Sequence, residues 1–190
     1  MSTLTGQYIR SITCPDDLPQ DKLTQFAFIG RSNVGKSSFI NHLTGISNLC
    51  RSGSTPGVTK KVNLFLINRK NYFADLPGYG YAKLGFKERA ELEELIFWYL
   101  SEKTNKFKQI FLLIDSKVGP TDQDLEVINY LLEIGLPTTI VVSKVDKLRS
   151  SEKTSQLNNI KAQIPPHFNI IPYSTKTGEG KREILNILGI

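Results

Sequence analysis

The segment "GRSNVGKS" (Gly30–Ser37) sets two glycines five residues apart and follows the second with lysine and serine, the full G-x-x-x-x-G-K-[ST] spacing. Glycines at those places let the backbone curl until its N–H groups converge on phosphate oxygens. Lys36 would reach the β- and γ-phosphates, and Ser37 would offer its hydroxyl to Mg²⁺. A helix opening here adds its positive end to the same anion site. The candidate phosphate contacts are Gly30, Arg31, Ser32, Asn33, Val34, Gly35, Lys36, Ser37 and Ser38. A second segment, "DLPG" (Asp75–Gly78), ends an apolar run with a carboxylate and places a glycine three residues on. Asp75 would hold Mg²⁺ through water, and the Gly78 N–H would sense a γ-phosphate, with Leu76 and Pro77 between them. In "TPGVT" (Thr55–Thr59), Thr55 and Thr59 compete for a direct bond to the same metal.

A phosphate loop selects neither base nor reaction. "SKVD" (Ser143–Asp146) adds the base. The Asp146 carboxylate can accept both N1–H and N2–H₂ of guanine, whereas adenine presents a lone pair at N1. Sites that leave such groups unpaired can discriminate by about 10⁴. The stem of Lys144 can lie along the base plane, and Val145 completes the turn. Ser143 stands where this motif usually begins with asparagine or threonine; it keeps a hydroxyl for a neighbouring loop and forgoes about 1 kcal/mol of one net hydrogen bond. "STK" (Ser174, Thr175, Lys176) follows the last predicted strand, where its amides could meet the guanine O6.

These segments need elements to position them. "TQFAFIG" (Thr24–Gly30) reads as a buried strand and "KSSFINHLTG" as the helix after it, closed by Gly45. "KKVNLFLIN" and "YFAD" read as an antiparallel hairpin turned by "NRKN". "ERAELEELIFWYLSE" has helical spacing, with Leu92, Leu95, Ile96 and Tyr99 on one side. "QIFLLID", "PTTIVVS" and "FNIIPYS" are further strands. Helices follow each, in "TDQDLEVINYLLEIG" with Thr121 as N-cap, in "SSEKTSQLNNIKAQI" stopped by Pro165, and in "GKREILNIL". The alternation predicts an α/β fold in three layers: a mostly parallel sheet with one antiparallel hairpin strand, and helices on both faces. Each motif falls just after a predicted strand, where such sheets bind ligands. Residues 1–20 read as a loosely structured lead-in, and residues 21–190 as a single domain.

With 190 residues, 39% apolar and 22% charged, the chain has the makeup of an ordinary globular domain. Its apolar runs are too short to cross a bilayer, and its first residues lack an apolar signal core. A cytoplasmic monomer is expected, with neither membrane nor DNA as partner. Cys14 and Cys50 have no metal or disulfide spacing. The net charge of +6 is uneven: residues 51–70 carry Arg51, Lys60, Lys61, Arg69 and Lys70 and no acid. That is either a solvated face or a surface for a phosphate-rich partner.

The motif order from Gly30 to Lys176 resembles the translation-factor-like G proteins. More closely, "GRSNVGKSSFIN", "STPGVT", "DLPGYGYAK" and "LPTTIVVSKVDKL" resemble the bacterial EngB family, and the likeness extends to "FWYL" and "LLIDS". The resemblance implies a P-loop G domain that binds GTP and GDP with Mg²⁺. It selects Thr59 over Thr55 as metal ligand beside Ser37 and Asp75, and adds Gly57, Val58 and Lys60 as contacts. It also implies a role in assembling the large ribosomal subunit, whose precursor's rRNA and ribosomal proteins would be the partners, and an association with cell division and septation. This chain departs from the family pattern at Ser143, usually threonine, and at Lys60, usually glutamine.

Many such switches carry a glutamine after the D-x-x-G glycine to orient water; here Tyr79 stands there, and intrinsic hydrolysis should be slow. The groups left to act on the reacting phosphate are Lys36, Asn33, Gly78 and Thr59. Asn33 could hold a K⁺ ion beside the phosphates, or simply turn the loop. Tyr79 and Tyr81 could stack on an unpaired base or pack inside the switch. Two functions fit: a GTP-hydrolysing assembly factor for RNA–protein particles, and a regulatory module whose nucleotide state selects a cell-division protein. The basic segment favours the first.

Overall fold

Along the strand Thr24–Gly30, Phe26 and Phe28 pack to one side and Ala27 and Ile29 to the other, all buried. A strand apolar on both faces needs cover on both. The computed structural model describes residues 4–21, 23–50, 61–81 and 84–190. Among these the strands are β1 (Gly6–Ile12), β2 (Thr24–Gly30), β3 (Val62–Ile67), β4 (Asn71–Asp75), β5 (Phe107–Asp115), β6 (Thr138–Ser143) and β7 (Asn169–Pro172). The helices are α1 (Lys36–Thr44), α2 (Phe86–Ser101), α3 (Asp122–Glu133), α4 (Ser150–Gln163) and α5 (Lys181–Leu188). The strands form one sheet in the order β1-β3-β4-β2-β5-β6-β7. Helices α1 and α5 cover the Phe26, Phe28, Phe111 and Val141 face. Helices α2, α3 and α4 cover the Ala27, Ile29, Leu112 and Ile140 face. The α2 stripe is Leu92, Ile96, Tyr99 and Leu100; Leu95, expected in it, is only half-buried.

The three-layer expectation holds. Only β3 runs against the rest, paired antiparallel with both β1 and β4. The expected lead-in is corrected: Gly6–Ile12 is an edge strand, in register with β3 from Gly6↔Ile67 to Ile12↔Val62. A register shift between Tyr8 and Arg10 breaks the two-residue alternation, which hides the strand in the sequence. Only Ile12 of this strand is fully buried.

The β3–β4 hairpin turns through Asn68 (φ 51°) and Arg69 (φ 56°), with the Lys70 N–H donating to the Ile67 carbonyl at 3.0 Å. Two central residues at positive φ match the twist of the flanking strands. The same turn corrects the reading of residues 51–70 as one basic surface. Asn71 pairs with Thr24, where β2 begins, so Arg69 and Lys70 lie at the end of the sheet opposite Gly30. Lys61 precedes β3 at the Asp75 end, since Asn63 pairs with Asp75. A six-residue strand, about 20 Å, separates the two groups.

Candidate functional site

β2 lies between β4 and β5 at the centre of the sheet, and the loop leaving it meets the ends of its neighbours. Gly30 closes the strand; a Cβ there would stand 2.8 Å from the Leu113 carbonyl oxygen of β5. Asn33 (φ 65°) and Gly35 (φ 104°) then turn the chain so that α1 opens at Lys36. Asparagine tolerates that left-handed backbone better than most residues, so Asn33 does turn the loop, and its side chain is exposed. Val34 is buried beneath the loop, Arg31 and Ser32 are half-buried, and Lys36, Ser37 and Ser38 form the first turn of α1.

The second segment predicted to face phosphate crosses this loop. The Leu76 N–H donates to the Phe28 carbonyl at 3.0 Å, and the Ser32 N–H donates to the Tyr79 carbonyl at 2.8 Å. A Cβ on Gly78 would lie 3.0 Å from Ser32 Cα and N, so a larger residue would push the two segments apart. Leu76 and Pro77 are buried under the crossing. The Lys36 ammonium is ion-paired and hydrogen-bonded to Asp75 Oδ1, with both side chains about one-tenth exposed. Ser37 and Asp75 offer a hydroxyl and a carboxylate, and among the described residues no three His, Cys, Asp or Glu side chains cluster. Hard oxygens in small number suit Mg²⁺, which keeps several waters and takes phosphate oxygens as further ligands. Thr55, Gly57, Val58, Thr59 and Lys60 lie outside the described residues.

The segments predicted to select the base fasten to the predicted phosphate loop. The Ser143 hydroxyl donates to the Val34 carbonyl at 2.9 Å, so the serine keeps a hydroxyl contact to the neighbouring loop. Lys144 (φ 60°) donates from Nζ to the Asn33 carbonyl at 2.8 Å and to Asp115 Oδ2 at 2.7 Å. Burial would raise the Asp115 carboxyl, but hydrogen bonds from Lys144 and the Lys117 N–H outweigh it and hold the group below the usual carboxylate value. Val145 is buried, and Asp146 sits exposed in a 3₁₀ turn with Oδ1 accepting the Ser174 hydroxyl at 2.7 Å. Ser174 Oγ accepts the Lys176 and Thr177 N–H groups at 3.1 Å each, which curls the loop, with Thr175 and Lys176 exposed. The described residues predicted to form the site thus gather at the carboxyl ends of β2, β4, β6 and β7.

Two side chains tied to the site were not anticipated. Asp115 closes an apolar strand as Asp75 does, and that parallel was the available signal. Asp124 lies in the first turn of α3, where acids favour a helix start without marking a site. It is 1% exposed and accepts the Tyr79 hydroxyl at 2.6 Å. Of the two readings of Tyr79, packing inside the switch holds and base stacking does not: its ring is buried, at 3% exposure. Both cysteines are free; burial raises the Cys50 thiol and leaves it protonated.

Comparison with known proteins agrees with this geometry. A family model described as 50S ribosome-binding GTPase matches residues 25–144. A probable GTP-binding protein EngB from Natranaerobius thermophilus is 36% identical over 99% of this chain and 98% of its own length. Its counterpart in Phocaeicola vulgatus is 38% identical over 99% and 96%. A crystal structure of a probable GTP-binding protein engB superposes with a TM-score of 0.72 at 26% identity, covering 87% of this chain and 97% of that one. Era in complex with MgGDPNP and nucleotides 1506–1542 of 16S ribosomal RNA shares the fold, with a TM-score of 0.68 at 23% identity over 88% of this chain and 56% of that one.

Proposed function

Because this chain belongs to the EngB family of GTP-binding proteins and hydrolyses GTP to GDP and phosphate, we propose that it works as a slow nucleotide switch in assembly of the large ribosomal subunit, in support of normal cell division. The observation that carries the switch is the crossing of Gly78 over Ser32: the segment that meets the γ-phosphate is packed on the loop that holds the β-phosphate. Ser37 and Asp75, with Thr59, would hold Mg²⁺, which neutralises charge on the β- and γ-phosphates when bound. Lys36 exchanges its Asp75 partner for phosphate oxygens. Asp146 reads guanine and Lys144 flanks it. Asp146, Ser143 and Lys144 are each hydrogen-bonded in place, so little side-chain freedom is lost on binding.

Two observations support a ribosomal partner: the 50S description of the matching family model, and Lys61, exposed at the Asp75 end of the sheet. To this surface we add Lys60, next to Thr59 in sequence, and not Arg69 and Lys70, at the far end of the sheet. RNA binding of this kind weakens steeply with salt, as each neutralised phosphate releases counterions. The test is co-sedimentation with large-subunit particles in GDP and in a non-hydrolysable GTP analogue. Stronger sedimentation with the analogue, lost on reversing Lys60 and Lys61 to Glu at unchanged GTP affinity, is the expected result. Equal sedimentation in both nucleotides removes the switch, and binding of a cell-division protein in place of the particle would give the regulatory-module reading.

Tyr79 is hydrogen-bonded elsewhere and cannot orient water, so the rate should be slow unless another group supplies charge. The exposed Asn33 side chain is the candidate holder of a K⁺ ion. Hydrolysis should then rise when K⁺ replaces Na⁺, and Asn33→Ala should erase the difference. Equal rates in both salts leave acceleration to the ribosomal particle.

A further inference from the structure

Tyr79 is gripped at both ends. Its carbonyl oxygen accepts the Ser32 N–H at 2.8 Å, and an isolated parallel bridge joins it to Arg31. Its hydroxyl donates to Asp124 Oδ1 at 2.6 Å in the first turn of α3. Burial, then the neighbouring Asp124 charge, raises the phenol well above its ordinary value, so it stays a donor across the working pH range.

The Asp124 carboxylate exceeds what a helix cap needs. Oδ2 accepts both the Thr121 N–H at 2.9 Å and the Thr121 hydroxyl at 2.7 Å, which completes the cap. Oδ1 is spent on Tyr79. A buried carboxylate is costly unless its oxygens are satisfied, so the pair stands or falls together. A phenylalanine would fill the same space without this dependence.

The residues on either side of Tyr79 are glycines. Gly80 has a φ of +69°, and a Cβ on Gly78 would stand 3.0 Å from Ser32 Cα and N, so a side chain there needs Ser32 to give way. Tyr79, held at its carbonyl and at its hydroxyl, is bonded directly to Gly78 and restrains the peptide beside it. A donor aimed in advance at developing phosphate charge costs no reorganisation at the moment of reaction.

We propose that Tyr79 and Asp124 are positioning residues for GTP hydrolysis, their hydrogen bond holding the Gly78 N–H on the γ-phosphate from the first turn of α3. Tyr79 stands at the position where other switches keep a water-orienting glutamine, and through Asp124 it acts on the peptide rather than on water. This rests on the reading of Gly78 given under Proposed function. GDP has no γ-phosphate, so a loosened Gly78 costs GDP nothing. The effect is therefore specific to the triphosphate, unlike that of a merely structural residue.

The experiment measures affinity for GDP and for a non-hydrolysable GTP analogue, with single-turnover hydrolysis of GTP. The proteins are wild type, Tyr79→Phe, Asp124→Asn, the double variant and Gly78→Ala. Tyr79→Phe keeps the ring, and unchanged GDP affinity reports that the fold is intact. Tyr79→Phe should weaken analogue binding about five- to tenfold and slow hydrolysis about tenfold, with GDP affinity within about twofold. Asp124→Asn should follow in the same direction, and the double variant should be no worse than the worse single one, since both remove one interaction. Equal losses for GDP and analogue, or no loss in either single variant, overturn the proposal. If Gly78→Ala destroys selectivity for the triphosphate while Tyr79→Phe keeps it, only the positioning pair is wrong. If Gly78→Ala also keeps selectivity, the γ-phosphate reading of Gly78 fails and the pair fails with it.

Discussion

Asp146 is exposed yet not free. One carboxylate oxygen is held by the Ser174 hydroxyl, and the same hydroxyl oxygen gathers two backbone N–H groups of its loop. The carboxylate predicted to read guanine is thus oriented by its own loop. Asp146→Asn trades an acceptor for a donor at guanine N1–H and should shift preference from guanine towards xanthine nucleotides, read by competition titration. Ser174→Ala frees both the carboxylate and the loop. One net hydrogen bond is worth about 1 kcal/mol, so GDP and GTP affinities should each fall about fivefold, in equal measure. An unequal fall would show that Ser174 acts on the phosphates as well as on the base.

At the scale of elements, the edge strand β1 contributes to stability by covering a sheet edge. It covers the antiparallel β3, which would otherwise present a row of unpaired N–H and C=O groups next to the switch. The Thr5 N–H also donates to Asn68 Oδ1 at 2.9 Å, tying the start of the chain to the β3–β4 turn. Removing residues 1–12 deletes this pairing and the buried Ile12. A loss of roughly 3 kcal/mol is expected, since a buried Ile alone is worth about 2. For a chain of this size that lowers the thermal midpoint by about 6–12 °C. Light scattering should rise as the β3 edge is uncovered. A midpoint unchanged by the truncation would mean that β1 contributes only locally.

The whole molecule converges on one rim of its sheet. Loops after β2, β4, β6 and β7 all reach the site, and the Ser143–Val34 and Lys144–Asn33 bonds stitch its base half to its phosphate half. A nucleotide lying across them clamps both halves of the sheet at once. At a hundredfold excess over Kd, binding to the native state alone adds about 2.7 kcal/mol. The midpoint should therefore rise by about 5–11 °C with GDP. Asp146→Asn should lose most of that rise with GDP and regain it with a xanthine diphosphate. A rise confined to one of two transitions would contradict a single cooperative domain.

Much of this was legible in the chain because its signals are local. Glycine spacing predicts a phosphate loop, apolar patterns and chain breakers give β2 to β7 and α1 to α5, and Asp75 ends an apolar strand. The elements β2–β7 and α1–α5 all stand where their patterns predict them. What stayed hidden depends on partners distant in sequence. β1 carries a register shift and only one deeply buried side chain, so its identity as a strand exists only through β3. Arg69 and Lys70 are near Lys61 in sequence, but an antiparallel strand carries them to the other end of the sheet. Sequence leaves Tyr79 to stack on a base or to pack inside the switch, and only α3, some 45 residues later, decides it by supplying the buried oxygen that it binds. The sequence alone determined which chemistry the site can do; the tertiary structure decided which side chains hold that chemistry in place, because burial and long-range hydrogen bonds exist only once the layers have packed.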